Sequence, residues 1–194
     1  MTTLLETKGD HLLAAIRLLL AEKGIATEPE ITAARERTDN ASPAQGARMV
    51  ARAWLDPAFR ALMLEDGAKA AESLDIPMRG LPPLGVLENT ATTHNLVVCT
   101  LCSCYPRGVL GYPPFWFKSV AYRARAIRDP AGVLAEWGTV LPADTAIRVV
   151  DSTADYRWMV LPRRPAGTDG WDLDRLASLV SAEDMIGVTV PKLP

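Results

Sequence analysis

The sequence is short of most residues that announce a function by number. Its 194 residues hold only three cysteines and two histidines, and aromatic residues make up 6%. An odd cysteine count gives no disulfide framework, and nothing indicates an oxidising compartment. Charge of one sign is also missing. There are 21 Lys and Arg against 23 Asp and Glu, a net charge of -2, which excludes a nucleic-acid polymer or an anionic membrane as the expected partner. No apolar run reaches the ~18 residues of a membrane span. Met1 to Asp10 has no apolar core behind a basic start, so neither export nor insertion is expected, and a cytoplasmic location follows. Internal repeats and low-complexity tracts are lacking too. What is present suits a globular chain with a real core: 48% hydrophobic and 23% charged residues, enough for one large domain or one domain plus an arm.

The first third reads as helix. Leu12, Leu13, Ile16, Leu19 and Leu20 recur at helical spacing, with Gly24 as a stop. Thr27 and Glu30 form a capping-box pattern for a second helix running towards Arg37. This pair carries more leucine than a free-standing hairpin can bury. The spacing therefore predicts an arm, residues 1–40, that packs on a partner chain, followed by a domain, residues 41–194. Ser42-Pro43 and Asp56-Pro57 each open a helix, and Gly67 closes or kinks the second. Residues 76–85 read as a loop on proline and glycine count. Asn95 to Val98 predicts a buried strand, Phe115 to Arg128 a helix, and Ala131 to Trp137 a shorter one. Ala146 to Val150 and Tyr156 to Leu161 read as a hairpin around Asp151–Asp155. Trp171 to Leu179 reads as a helix and Ile186 to Val190 as a last strand. The expected class is α+β: a helical arm, then a layered α-β-β-α domain carrying a metal-binding loop.

All three cysteines fall within six residues, in Val98-Cys99-Thr100-Leu101-Cys102-Ser103-Cys104-Tyr105-Pro106. Random scatter would give so tight a cluster in something on the order of one chain in several hundred. Ordinary explanations compete. A disulfide needs an even count. A zinc site needs a fourth ligand, and strand geometry would point His94 away. The C-x-x-C-x-C spacing matches neither spacing familiar from ferredoxins. A C-x-x-C redox pair leaves Cys104 unexplained. A tighter grip is also available. An ion held by Cys102 and Cys104 together sits against the backbone between them, within reach of the amide nitrogens of Ser103 and Cys104. A hard trivalent low-spin ion could deprotonate and bind those amides. Three sulfurs and two amidates then fill five positions of an octahedron and leave one open, which separates a catalytic metal from a structural one. The ligands outweigh the ion by two negative charges, so nearby cations are expected. Metal thiolates of low pKa are also candidates for oxidation to sulfenic and sulfinic acids.

This cluster, with Gly111-Tyr112-Pro113-Pro114, Trp116-Phe117-Lys118-Ser119, Tyr122-Arg123-Ala124-Arg125, the run Leu161 to Trp171, Ala51 to Gly67 and Met185 to Val188, resembles the nitrile hydratase α subunit, over roughly residues 10–190. The cysteine motif is shared with the related thiocyanate hydrolase. The resemblance implies a carbon–oxygen lyase that hydrates a nitrile at a non-corrin cobalt(III) or non-haem iron(III) ion. It implies metal ligation by Cys99, Cys102, Ser103 and Cys104, with Cys99 a plain thiolate, Cys102 sulfinic, Cys104 sulfenic, and Cys102 and Cys104 catalytic. Iron members carry Ser after the first cysteine and Thr after the third; Thr100 and Tyr105 give the cobalt pattern. It further implies a β-type partner subunit of one or two polypeptides, whose arginines hold the sulfur oxygens, clasped by the N-terminal arm. A metal-loading activator is implied as well.

The departures bear on the substrate. Relatives read Tyr-Pro-Trp-Pro where this chain reads Tyr105-Pro106-Arg107-Gly108. A glutamine common near the metal is replaced in Arg79-Gly80-Leu81-Pro82, and Ala131 replaces a usual arginine. Either the pocket is wider and more polar, with Arg107 and, more weakly, Trp116 as substrate-binding residues, or Arg107 is solvated, the pocket is unchanged and Trp116 belongs to the core. The expected substrate is a bulky heteroaromatic nitrile, in which respect the chain is similar to the three-subunit toyocamycin nitrile hydratases. Arg123 and Arg125 are expected to brace the metal loop or form ion pairs, and Glu88 and Asn89 to brace it or sit in a solvated turn. His94 is read as a satisfied polar residue, and Arg163 and Arg164 as interface or plain surface. Two alternatives stand beside the nitrile reading: thiocyanate hydrolysis at the same centre, and a metal-binding or redox module without turnover.

Overall fold

The computed structural model describes residues 8–194; the first seven residues of the expected arm lie outside these. Contacts divide the chain into two compact units, up to Asn40 and from Ala41 to Pro194. In the first unit, α1 (Lys8–Glu22) and α2 (Glu28–Asn40) are joined by a short turn. Gly24 takes φ +63° there, a conformation glycine adopts without a Cβ penalty. The amide and hydroxyl of Thr27 both donate to the Glu30 carboxylate at 2.7 Å, starting α2. No residue of α1 is buried. Leu12, Leu13, Ile16, Leu18 and Leu19 are 45 to 71% exposed.

The second unit begins with α3 (Pro43–Leu55), whose Met49, Val50 and Ala53 turn into the core. Asp56 accepts the amides of Ala58 and Phe59 and starts α4 (Pro57–Glu65). Asp66 then caps α5 (Gly67–Glu72) through the Lys69 amide, so Gly67 opens a new helix rather than closing the old one. The expected loop over residues 76–85 ends early, because Leu84 already begins β1 (Leu84–Glu88). That strand is buried on both faces and lacks the alternation that would reveal it. β2 (Thr93–Val98) follows and ends at the cysteines. Beyond them come α6 (Arg107–Leu110), α7 (Phe115–Lys118) and α8 (Val120–Arg128). The single helix expected over 115–128 is broken at Ser119, whose hydroxyl accepts the Tyr122 amide at 3.1 Å and caps α8. α9 (Pro130–Glu136), β3 (Ala146–Asp151), β4 (Arg157–Leu161), α10 (Leu173–Ala177) and α11 (Ala182–Ile186) complete the chain.

The expected hairpin is not formed. β3 pairs in parallel with β2, from Thr93 opposite Ala146 to Val98 opposite Asp151. β4 pairs in parallel with β1, from Leu84 opposite Arg157 to Glu88 opposite Leu161. Asp151–Asp155 contains none of the glycine or asparagine pairs that a two-residue hairpin turn requires. Ser152 instead donates its amide to the Val98 carbonyl at 2.7 Å, and its hydroxyl accepts the Trp158 amide. The link hands the chain from one two-stranded sheet to the other. The last expected strand is also absent. Ser181 and Asp184 form a capping box for α11, and Gly187 ends it at φ +90°. A Cβ at Gly187 would lie 2.0 Å from the Asn95 carbonyl oxygen of β2; only glycine lets the chain pass there. Helices around two small parallel sheets make an α+β unit, with the core drawn from both. Among the described residues no helix is long and apolar enough to cross a membrane.

Candidate metal centre

The three cysteines sit where β2 stops, and both sides of their loop are fastened. On the upstream side Thr100 donates its amide to Asp151 Oδ1 at 3.0 Å and its hydroxyl to Oδ2. Asp151 is in place because it stands opposite Val98 in the parallel register. Arg123 Nη1 donates to the Thr100 carbonyl at 3.3 Å, and the Tyr122 hydroxyl donates to the Val97 carbonyl at 2.6 Å. On the downstream side Tyr105 is 2% exposed. Its ring meets Phe117 edge-on with centroids 5.0 Å apart, and burial pushes its hydroxyl pKa up.

Within the loop the sulfurs converge. Cys99 and Cys104 are buried and Cys102 is exposed. Sγ of Cys102 lies 3.2 Å from that of Cys104 and 3.6 Å from that of Cys99, and all three atoms fall within 4.8 Å of one another. These separations exceed the ~2.05 Å of a disulfide bond. With metal–sulfur bonds of about 2.3 Å, sulfurs at right angles stand ~3.3 Å apart and at the tetrahedral angle ~3.8 Å apart. The Cys102–Cys104 pair has the right-angle spacing, and the Cys99–Cys102 pair lies between the two. Hydrogen bonding to Cys104, then to the backbone of Ser103, then to Cys99 lowers the Cys102 thiol pKa. Burial, followed by the contacts with Cys102 and Cys99, pushes the Cys104 thiol up to about 12. Cys102 thus faces the amides of Ser103 and Cys104, which are causes of its own shift. A soft-sulfur, amide-backed donor set of this kind fits a metal that strips protons from its ligands.

The zinc alternative loses its nearest histidine. His94 is buried, and its Nε2 donates to the Gly187 carbonyl at 2.7 Å while its Nδ1 accepts from Asn89 Nδ2 at 3.1 Å. Burial lowers its pKa, and the Gly187 bond opposes that shift, so the ring is neutral and satisfied in the core. Asn89 is likewise a buried brace, accepting the Asn95 amide on Oδ1 at 2.7 Å, while Glu88 pairs with Arg60. Arg125 pairs with Glu136 and Asp129. Arg164 donates to Thr168 and to the Trp54 carbonyl, and Arg163 is exposed.

A cavity of about 370 Å³ opens beside the sulfurs. Its lining includes Cys102, Ser103 and Cys104, the apolar Met78, Leu81, Pro82 and Leu84, and the charged Arg107 and Arg157. Arg107 also stands over the Tyr112 ring, 5.4 Å from its centroid. Trp116 is not part of this lining. It packs among Phe117, Tyr122 and Trp137, with centroids 4.9 to 5.9 Å away. Sequence reasoning missed Asp151 and Arg157. Asp151 is 51 residues from Thr100 and is placed only by the strand register, and Arg157 was hidden by the hairpin reading.

Comparison with known proteins agrees with this geometry. Residues 7–189 match the family model described as nitrile hydratase, alpha chain. The low-molecular weight cobalt-containing nitrile hydratase subunit alpha of Rhodococcus rhodochrous is 47% identical over 181 residues, 93% of this chain and 87% of that protein. A solved recombinant thiocyanate hydrolase with partially modified cobalt centers is 40% identical, covering 96% of this chain and 91% of that one, with a TM-score of 0.84. A double mutant of Fe-type nitrile hydratase from Comamonas testosteroni Ni1 is 38% identical, covering 97% and 94%, with a TM-score of 0.80.

Proposed function

The chain belongs to the nitrile hydratase alpha-chain family, and from that premise we propose that it is the metal-bearing subunit of an enzyme that hydrates an organic nitrile, R–C≡N plus water giving R–CO–NH2. The observation that carries this reading is the convergence of three sulfurs within 4.8 Å, with two of the three residues, Cys102 and Cys104, lining a cavity. Cys99, Cys102 and Cys104 supply the sulfurs and Ser103 and Cys104 the amide nitrogens. Cobalt(III) is the proposed ion, supported by Thr100 and Tyr105 and by the cobalt-containing relative; iron(III) is the second choice. When bound, such an ion supplies a Lewis acid with one open position.

In this reading Cys102 carries two oxygens and Cys104 one. A thiolate that takes up both atoms of one dioxygen becomes a sulfinate with no other reactant. Adding one atom to Cys104 releases the second as water, with two protons and two electrons from a thiol reductant. The Cys104 oxygen then serves as base towards water or as nucleophile towards the nitrile carbon. Met78, Leu81, Pro82 and Leu84 receive the substrate body and Arg107 its polar edge, which supports a bulky heteroaromatic nitrile. The exposed leucines of α1 support a β-type partner clasped by the arm, residues 1–40, and the family supports a metal-loading activator. A cytoplasmic site of action completes the proposal.

The solved thiocyanate hydrolase favours a second reading at the same centre, SCN⁻ plus two waters giving COS, NH3 and OH⁻. The test uses the chain co-expressed with its β-type partner and loading helper in cobalt medium. A carboxamide from a heteroaromatic nitrile supports the first reading. Carbonyl sulfide and ammonia from thiocyanate move the assignment to the second. An assembled chain with zinc, unmodified cysteines and no product overturns both. Greater kcat/KM for a small alkyl nitrile than for a bulky aryl one ends the wide-cavity proposal.

A further inference from the structure

Arg157 is the first residue of β4, held by its amide to the Pro83 carbonyl at 2.9 Å. It lines the same cavity as Cys102, Ser103 and Cys104. No acidic residue lines that cavity, and Arg157 Nη1 is buried without a hydrogen-bond partner. A guanidinium nitrogen withdrawn from water needs an acceptor, and a neutral thiol sulfur is a weak one. The neighbouring arginines have other tasks: Arg107 stands over Tyr112, and Arg123, whose Nε is also unpaired, holds the Thr100 carbonyl from outside the cavity lining. A matured centre would supply an acceptor suited to Arg157. Three thiolates and two amidates around a trivalent ion carry excess negative charge, and an oxygen on sulfur presents that charge as a strong acceptor.

We propose that Arg157 is this chain's own positioning residue for the oxygen on Cys104, its buried Nη1–H donating to that oxygen. The inference rests on the oxidised centre of the proposed function and adds a donor from within the metal-bearing chain. The bond draws electron density from the sulfenate. It thereby slows addition of a second oxygen and holds the first in one direction beside the cavity.

The test compares wild type, Arg157→Lys, Arg157→Gln and Arg157→Met in the cobalt-loaded complex. It reads metal per chain, oxygen atoms on the peptide spanning residues 95–110, and the sulfur-to-metal absorption band. Metal content should stay at the wild-type level throughout. Arg157→Met should lose most of its singly oxygenated Cys104, to the bare or doubly oxygenated form, and shift the band; Arg157→Lys should restore both. Should Arg157→Met not assemble, Arg157→Gln, neutral but still a donor, should show the same loss in weaker form. Wild-type oxygen content and an unshifted band in whichever neutral variant assembles would overturn the role of Arg157 alone. A wild-type complex with no oxygen on Cys104 would overturn the oxidised centre, and this inference with it.

Discussion

Asp151 is the residue whose removal most directly tests how the metal loop is held. It accepts two hydrogen bonds from Thr100, one from the amide and one from the hydroxyl. Both residues are exposed, so the ~1.5–3 kcal/mol of a charge-assisted bond must be discounted for solvent, to about 1 kcal/mol each. Asp151→Ala should then destabilise the loop by about 2 kcal/mol, and Thr100→Val, which keeps the amide bond, by about 1 kcal/mol. The double variant should cost no more than Asp151→Ala alone, because the hydroxyl has already lost its partner. Since every 1.4 kcal/mol is tenfold, a 2 kcal/mol loss raises the open population of the loop about thirtyfold. In the assembled, metal-loaded protein this reads out as faster loss of metal to a strong chelator, by about the same factor if loop opening limits release. Global unfolding should move less, because the β2–β3 ladder persists. Unchanged chelation kinetics in Asp151→Ala, or additive effects in the double variant, would refute the anchoring argument.

Two further outcomes are expected. Burial holds the His94 pKa below its ordinary 6.5, so the neutral ring stabilises the fold above that pH. As pH falls below about 6.5 the unfolded chain takes up a proton that the folded chain resists, and stability declines; denaturation midpoints of His94→Gln should flatten between pH 7 and 5, and an unaltered slope would count against the neutral assignment. Gly187→Ala combines a positive φ with a Cβ 2.0 Å from the Asn95 oxygen, so a loss of about 3 kcal/mol or more in thermal or urea unfolding is expected, and a neutral result would contradict the close passage of α11's end against β2.

How much of this was legible depended on whether the signal was local. The cysteine triplet, the caps at Asp56 and the stop at Gly24 are written within a few residues and were readable. Strand pairing was not. Leu84 to Glu88 is buried on both faces and follows two prolines, so no alternation marks β1, and without β1 the natural partner for residues 156–161 was the run just before them. The same error concealed two polar residues, one fastened to the cysteine loop and one lining the cavity beside it. Asp151 seemed part of a turn, yet the parallel register sets it against the metal loop. Arg157 seemed to be on a hairpin, yet its pairing with Leu84 brings it to the cavity. Of the two readings of Trp116, core and pocket wall, the packing of its ring against Tyr122 and Trp137 agrees with core.

The positions that separate cobalt from iron patterns acquire a physical meaning from this arrangement. Thr100 and Tyr105 lie immediately after the first and third cysteines, and neither side chain donates to the sulfur cluster. Thr100 binds outward to Asp151, and Tyr105 packs inward on Phe117. They therefore act as bolts at the two ends of a loop in which only Leu101 to Cys104 remain between. A serine at Thr100 would keep the hydroxyl but lose the methyl that limits its rotamers. A threonine at Tyr105 would remove an aromatic side chain from a site only 2% exposed and leave a cavity against Phe117. Either change alters how firmly the sulfurs are spaced before any ion arrives. On the proposed cobalt assignment, these two positions would bear on the metal through the backbone they fix rather than through atoms that touch it.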